Sequence, residues 1–168
     1  SDGKMAEKEW VYDKNYNSWF FIKEGGSYAN SEWMKLGGSW YYFKRGGYMS
    51  TNTWLGSYYL KSDGKMAEKE WVYDKNYNSW FFIKEGGSYA NSEWMKLGGS
   101  WYYFKRGGYM ARNTWQGSYY LRSSGAMAVN EWIYDSNYKA WYYLKSDGSY
   151  ARNEVIQGYK LDYSGKWV

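Results

Sequence analysis

The chain has 168 residues, with no histidine, cysteine or proline, 22 basic against 17 acidic side chains, and a formal charge of +5. The missing imidazole and thiol remove the commonest general base, the commonest metal ligand and every disulfide. A basic excess spread without blocks of like charge reads as a solvated surface with some attraction for anionic polymers. Aromatic residues make up 25% of the chain, including 13 Trp and 23 Tyr, while Leu, Ile and Val are few. That balance predicts a core built largely from rings, with a surplus of rings left at the surface. No run of ~18 apolar residues spans a membrane as a helix.

Residues 1–49 and 62–110 are identical, from SDGKMAEKEW to YFKRGGYM, so the chain is a repeat array with a 61-residue period. The chain opens at the turn Ser1–Gly3, inside a repeat, which predicts that it is a piece of a longer protein and that residues 1–9 are the tail of a preceding repeat. Shorter repeats are nested within the long period, opening at Trp10, Trp33, Trp54, Trp71, Trp94, Trp115 and Trp132, with a degenerate C-terminal cap over 155–168. Long repeats place eight residues between two Trp (Trp10/Trp19, Trp71/Trp80, Trp132/Trp141), and middle repeats place six (Trp33/Trp40, Trp94/Trp101). Short repeats (Trp54, Trp115) read GSYY where the middle ones read GSWYY, so the second Trp is missing.

Aromatic and β-branched clusters bounded by Gly, Asn and Asp read as short strands joined by tight turns. Gly37-Gly38 suits a two-residue primed hairpin turn, and Gly46-Gly47, Asp63-Gly64 and Asp147-Gly148 make a second turn in their repeats. Such hairpins are marginal alone and must bury a face against their neighbours. The predicted fold is therefore all-β, a β-hairpin solenoid of about eight repeats forming a single array over 1–168. Period 2 separates Trp40 and Tyr42 from Tyr41 and Phe43, leaving open which pair faces inward.

Catalysis finds little support. The carboxylates Glu7, Glu9, Asp13, Glu24, Glu32 and their copies recur at loop and inter-strand positions, as on a solvated scaffold, rather than as an isolated acid pair. No catalytic residue, metal site or cofactor is predicted. Converging rings offer a different chemistry, because three aromatic faces attract a quaternary ammonium through their quadrupoles without any buried hydrogen-bond acceptor. Rings serving only as core is the competing reading.

The pattern W-x(6–8)-W-[YF]-[YF]-[FIL]-K-x-G-G-x-[YM] is best seen in WMKLGGSWYYFKRGGYM (Trp33–Met49) and WIYDSNYKAWYYLKSDGSY (Trp132–Tyr150). It resembles the choline-binding (cell-wall-binding) repeat of pneumococcal and phage surface proteins. AEKEWVYD and the tail ARNEVIQGYKLDYSGKWV most resemble the repeat regions of pneumococcal endo-β-N-acetylglucosaminidases, and a catalytic domain is then expected beyond Val168. The resemblance implies cages between consecutive repeats, two rings from one and one from the next, often with a Met. Carried over by position, these are Trp33 and Trp40 with Tyr59 and Met49, and Trp94 and Trp101 with Tyr120 and Met110. The long repeats give Trp10 and Trp19 with Tyr42, and Trp71 and Trp80 with Tyr103. Tyr59 is preferred to Tyr58 on a same-face relation to the ring that starts its strand. Tyr28, Tyr89 and Tyr150 stand where a Met is wanted, which is expected to narrow the cavity.

Trp54 and Trp115 are weaker candidates for want of a second Trp. Trp132 and Trp141 are weaker because Lys160 falls where their third ring is wanted.

The function implied is non-catalytic attachment to choline or phosphocholine on teichoic or lipoteichoic acid at the bacterial cell surface, outside the cell. The cargo is a murein hydrolase or another surface protein. Lys44, Arg45, Lys105, Arg106 and Arg112 suit the polymer's phosphates. No nucleic acid and no membrane insertion is expected, and self-association is left open. An α-glucan-binding repeat domain or a structural spacer remains the alternative.

Overall fold

A computed structural model describes residues 7–168; residues 1–6, and with them most of the expected tail of a preceding repeat, lie outside it. Eight two-stranded antiparallel sheets make up the described chain. In order they are β1 (Glu9–Asp13) with β2 (Ser18–Ile22), β3 (Glu32–Leu36) with β4 (Ser39–Phe43), β5 (Thr53–Leu55) with β6 (Tyr58–Leu60), and β7 (Glu70–Asp74) with β8 (Ser79–Ile83). Then follow β9 (Glu93–Leu97) with β10 (Ser100–Phe104), β11 (Thr114–Gln116) with β12 (Tyr119–Leu121), β13 (Glu131–Asp135) with β14 (Ala140–Leu144), and β15 (Glu154–Ile156) with β16 (Tyr159–Leu161). The chain packs as two compact units, one of residues up to 72 with 82–89, the other of 73–81 with 90–168.

Each hairpin follows from its turn chemistry. Gly37 and Gly38 both take positive φ (59° and 87°), the primed turn whose twist matches the flanking strands. The residue just before a strand also turns left-handed: Ser31, Asn52, Lys69, Ser92, Asn113, Asn130 and Asn153 all have φ of 50–55°. Asn tolerates that conformation best among non-glycine residues, and Lys poorly. The acidic residue opening the next strand is then tied back to the preceding turn. Glu32 accepts from Lys23 Nζ at 3.1 Å and from the Asn30 N–H at 2.9 Å, and Lys61 pairs with Glu70 at 3.3 Å. The recurring carboxylates thus tie down the entry of hairpins that open with Glu, whereas β5 and β11 open with Thr53 and Thr114.

Strand alternation decides the interior. Tyr41 (9% exposed) and Phe43 (0%) face inward, while Trp40 remains 38% exposed. The fully buried side chains are not mainly rings, contrary to the compositional expectation. From the second hairpin on, each repeat buries the last residue of its second strand, namely Phe43, Leu60, Ile83, Phe104, Leu121, Leu144 or Leu161, while Ile22 of the first is half-buried. Beside these lie Ala29, Ala67, Ala90, Ala111, Ala128 and Ala151. One large and one small residue suffice because the hairpins are narrow. Most rings are left for the seams between repeats.

Within each unit, consecutive hairpins stack as turns of a β-solenoid and are sewn together by backbone hydrogen bonds. The Met66 N–H donates to the Trp40 carbonyl of the previous hairpin (2.8 Å), and Met49 does the same to Trp19 (3.2 Å). In the second unit Met110, Met127 and Trp167 donate to Trp80, Trp101 and Trp141. The degenerate last repeat folds like the others, with Leu161 buried and bridged to Trp167.

Candidate functional site

Among the described residues, aromatic cavities built to one plan lie at seams between hairpins. Trp33 is the second residue of β3 and Trp40 the second of β4, and the two share a face diagonally across the hairpin, with Trp33 opposite Tyr42 and Trp40 opposite Lys35. Their rings stand 6.4 Å apart at 85°, and Tyr58 of the next hairpin meets Trp33 at 5.7 Å and 77°. Two rings set nearly perpendicular to Trp33 make an open corner with it, which Met66 and Gly86 complete around about 360 Å³. The bond from the Met66 N–H to the Trp40 carbonyl fixes the thioether at this wall.

The same arrangement recurs at Trp10, Trp19, Tyr41 and Met49, a cavity of about 260 Å³ also lined by Asp63. There Trp10 lies 6.1 Å from Trp19 and 4.8 Å from Tyr41. In the second unit Trp94, Trp101, Tyr119, Met127 and Asp147 enclose about 290 Å³, with Trp94 and Tyr119 5.5 Å apart. Trp132, Trp141, Tyr159, Trp167 and Gln157 enclose about 500 Å³. Here Trp167 takes the methionine's place, Tyr159 supplies the third ring (5.6 Å from Trp132), and the Trp132 Nε1–H donates to Gln157 Oε1 at 3.0 Å.

Glycines brace these walls. A Cβ on Gly87 would fall 2.8 Å from both Met66 Cε and Tyr58 Cδ1, so the turn must be glycine for two cage walls to keep their places. Gly64, Gly125 and Gly148 press in the same way on Met49, Met110 and Met127.

The electrostatics suit a cation. Asp63 lies at the rim of one cage and Asp147 at another. The Tyr41 phenol is pushed up chiefly by burial and then by the Asp63 charge, so it stays a neutral ring. Asp147 is held below the ordinary carboxylate range, first by the Ser149 hydroxyl, which donates to it at 2.6 Å, and by the Ser149 N–H at 2.9 Å. Among the described residues no cluster of three or more Asp, Glu, His or Cys could hold a metal.

The expected Trp pairs do come together at Trp33/Trp40, Trp94/Trp101 and Trp10/Trp19, but with other partners than expected. Tyr59 pairs with Trp54 of its own hairpin (5.0 Å), Tyr120 with Trp115 (5.2 Å), Tyr42 with Trp33 (5.4 Å) and Tyr103 with Trp94 (5.2 Å). A residue directly opposite a Trp in the ladder shares that Trp's face, so it cannot point to the hairpin before. The wall comes from one residue earlier, on the opposite face: Tyr58, Tyr119 and Tyr41.

The methionines shift likewise. Met49 lines the Trp10/Trp19 cavity, and Met66 and Met127 stand where Met49 and Met110 were expected. Met110, 7% exposed, donates its N–H to Trp80. Within the first unit Trp71 packs on Phe82 at 5.5 Å, and within the second Trp80, 42% exposed, lies 5.3 Å from Tyr73.

The weaker candidates divide. Trp132 and Trp141 do have a third wall in Tyr159, because Lys160 occupies the position of Tyr59, which builds no cage. The missed Trp167 had a signal, since GKW in the tail aligns with GYM in the middle repeats. Trp54 and Trp115 instead sit in filled seams. Tyr89 lies 5.8 Å from Trp54, and Trp115 is enclosed by Tyr120, Tyr142 (5.1 Å) and Tyr150 (5.9 Å), with its Nε1–H donated to the buried Asp135 at 2.6 Å. The tyrosines that replace methionine therefore plug the short-repeat seams.

Two family models match this chain. The choline-binding repeat covers residues 48–81 and 109–140, and the cell wall binding repeat covers 31–49 and 92–110, together more than half of the sequence. A Streptococcus pneumoniae serotype 4 protein named as an endo-beta-N-acetylglucosaminidase is 43% identical over 93 residues, 55% of this chain and 14% of its own length. Among solved structures, the modular autolysin LytC from Streptococcus pneumoniae, in complex with a synthetic peptidoglycan ligand, matches at 46% identity and a TM-score of 0.84. That match covers 95% of this chain and 37% of LytC. Choline binding protein F from Streptococcus pneumoniae matches at 28% identity and a TM-score of 0.69, over 98% of this chain and 58% of its own. The chain thus spans well under half the length of the enzymes it matches. With matching repeats, a matching fold and aromatic boxes at the seams, the chain belongs to the choline-binding repeat family.

Proposed function

We propose that this chain is a non-catalytic attachment module that holds a protein to a choline-bearing cell wall through its aromatic cages. The observation that carries the reading is the Trp33–Trp40–Tyr58 corner, closed by Met66 and presenting ring faces with no charged group opposed to a cation. A trimethylammonium group needs no hydrogen-bond acceptor, and each ring face contributes ~0.5–2 kcal/mol to its capture. One cage then binds choline at roughly millimolar affinity. Several weak cages meeting a polymer that repeats its ligand gain avidity by orders of magnitude.

Choline on teichoic or lipoteichoic acid is such a polymer, and the cell surface is where it would be met. The likeness to an autolysin and to endo-beta-N-acetylglucosaminidases supports a murein hydrolase as cargo. Choline chloride titrated against Trp fluorescence, with sodium chloride as the ionic control, tests the reading. A saturable millimolar response specific to choline is expected, and identical responses to the two salts would refute it.

A further inference from the structure

A second cavity, different in character, adjoins the Trp33/Trp40 cage. It measures about 260 Å³ and is lined by Lys35, Lys61, Lys65, Ser39, Glu68 and Glu70, among others. Trp40 and Met66 line both cavities, so the basic pocket and the cage adjoin along these two side chains. Its position follows from the ladder, for Lys35 is the cross-strand partner of Trp40 and shares its face. Lys61 is committed to Glu70 (3.3 Å), whose carboxylate also accepts the Glu68 N–H. Lys35 and Lys65 are exposed and outnumber the remaining carboxylate, Glu68.

The long repeats lack this feature. Tyr12 and Tyr134 stand opposite Trp19 and Trp141 where Lys35 stands opposite Trp40. Sixty-one residues on, Lys96 and Arg122 are kept, but Ala126 and Val129 replace Lys65 and Glu68.

We infer that the Trp33/Trp40 cage is one half of a composite site. The cage takes the quaternary ammonium, and Lys35 with Lys65 takes a phosphoryl group carried two carbons away on the same ligand. The chemistry recognised is the phosphorylcholine zwitterion, whether on a wall polymer or on a lipid headgroup. The inference rests on the cage binding choline and adds an anion subsite to it. An exposed, partly hydrated pair of lysines raises affinity for phosphorylcholine over choline by about three- to fivefold at low ionic strength. Salt screens that preference.

Methionine methyl groups report on each cage separately, since Met66 lines this one, Met49 the Tyr-flanked Trp10/Trp19 cage and Met127 the Trp94/Trp101 cage. With methyl-13C methionine, choline and phosphorylcholine are titrated in low-salt buffer against the wild type and a Lys35→Gln/Lys65→Gln variant. The expected result is a three- to fivefold tighter phosphorylcholine response at Met66 only, lost in the variant while choline binding is retained. Equal affinities at Met66 in the wild type, or a preference that survives the variant, overturn the inference. Absence of any choline shift at Met49, Met66 and Met127 overturns the cage reading instead. Pull-down on choline-bearing wall polymer and on phosphatidylcholine vesicles separates the sources. The inference holds for whichever retains the wild type better than the variant, and fails if both retain the two proteins alike.

Discussion

Replacing Tyr58 and Tyr59 one at a time distinguishes the backward-facing wall from its neighbour. Tyr58 meets Trp33 of the preceding hairpin edge-on at 5.7 Å, and Tyr59 meets Trp54 of its own hairpin at 5.0 Å. Trp33 lies 6.4 Å from Trp40 and 5.7 Å from Tyr58, spacings comparable to the ~6 Å over which a ring face attracts a cation. Tyr58→Leu keeps apolar bulk and removes one quadrupole, a loss of ~0.5–2 kcal/mol, so choline binding read at the Met66 methyl weakens about 2- to 30-fold. Tyr59→Leu leaves that cage complete and instead loses an aromatic pair of ~0.5–1.5 kcal/mol, read as a lower melting temperature with unchanged choline affinity. Thermal melts and the methyl titration are run on both variants. If Tyr59→Leu weakens choline at Met66 more than Tyr58→Leu does, the assignment of faces is wrong.

Gly87→Ala should displace Met66 and Tyr58 and weaken choline at that cage, whereas Gly38→Ala, at φ 87° with open space around it, costs only backbone strain of ~1–2 kcal/mol. Equal affinity losses in the two variants would show that the contact with Met66 and Tyr58 is irrelevant. Lys69→Asn relieves a left-handed lysine (φ 52°) and gives up only an exposed ion pair to Glu85 at 3.5 Å. The variant should gain ~0.5–1 kcal/mol, and a lower melting temperature would refute the strain argument. Glu32 is held below the ordinary carboxylate range, chiefly by the Asn30 N–H and further by Lys23. A depressed folded value means its contribution is complete above the unfolded glutamate value and fades as pH falls through the folded one. The deficit of Glu32→Gln, on the order of a few tenths of a kcal/mol after solvent screening, should therefore be largest near neutrality and vanish in acid. A deficit independent of pH would point to shape instead of charge.

The Trp pairs were legible because they recur, and because only short strands fit between their turns. Gly37-Gly38 likewise announced a primed turn, since few residues but glycine take two successive positive φ values. The plugged seams at Trp54 and Trp115 were half visible in the missing second Trp, and their filling by Tyr89 and Tyr150 was not.

The third cage wall was out of reach for a physical reason. Tyr58 and Tyr59 are chemically identical neighbours, and their roles differ only in the face each presents. Alternation says that the faces differ without saying which looks backward. That is decided by stacking: the strand-start Trp of each hairpin faces forward, so the residue opposite it in the ladder faces forward too, and the one before it meets the preceding hairpin. Composition misled about the core for a related reason. Rings are plentiful, but the narrow interior of most repeats holds one large residue and one small one, alanine or Ser50, and most rings go to the seams. The sequence by itself determined the repeat, the strands, the turns and the stock of rings. Only the stacking of one hairpin on the next decided which rings meet, because those contacts join residues whose pairing is set by face and register and not by their identity.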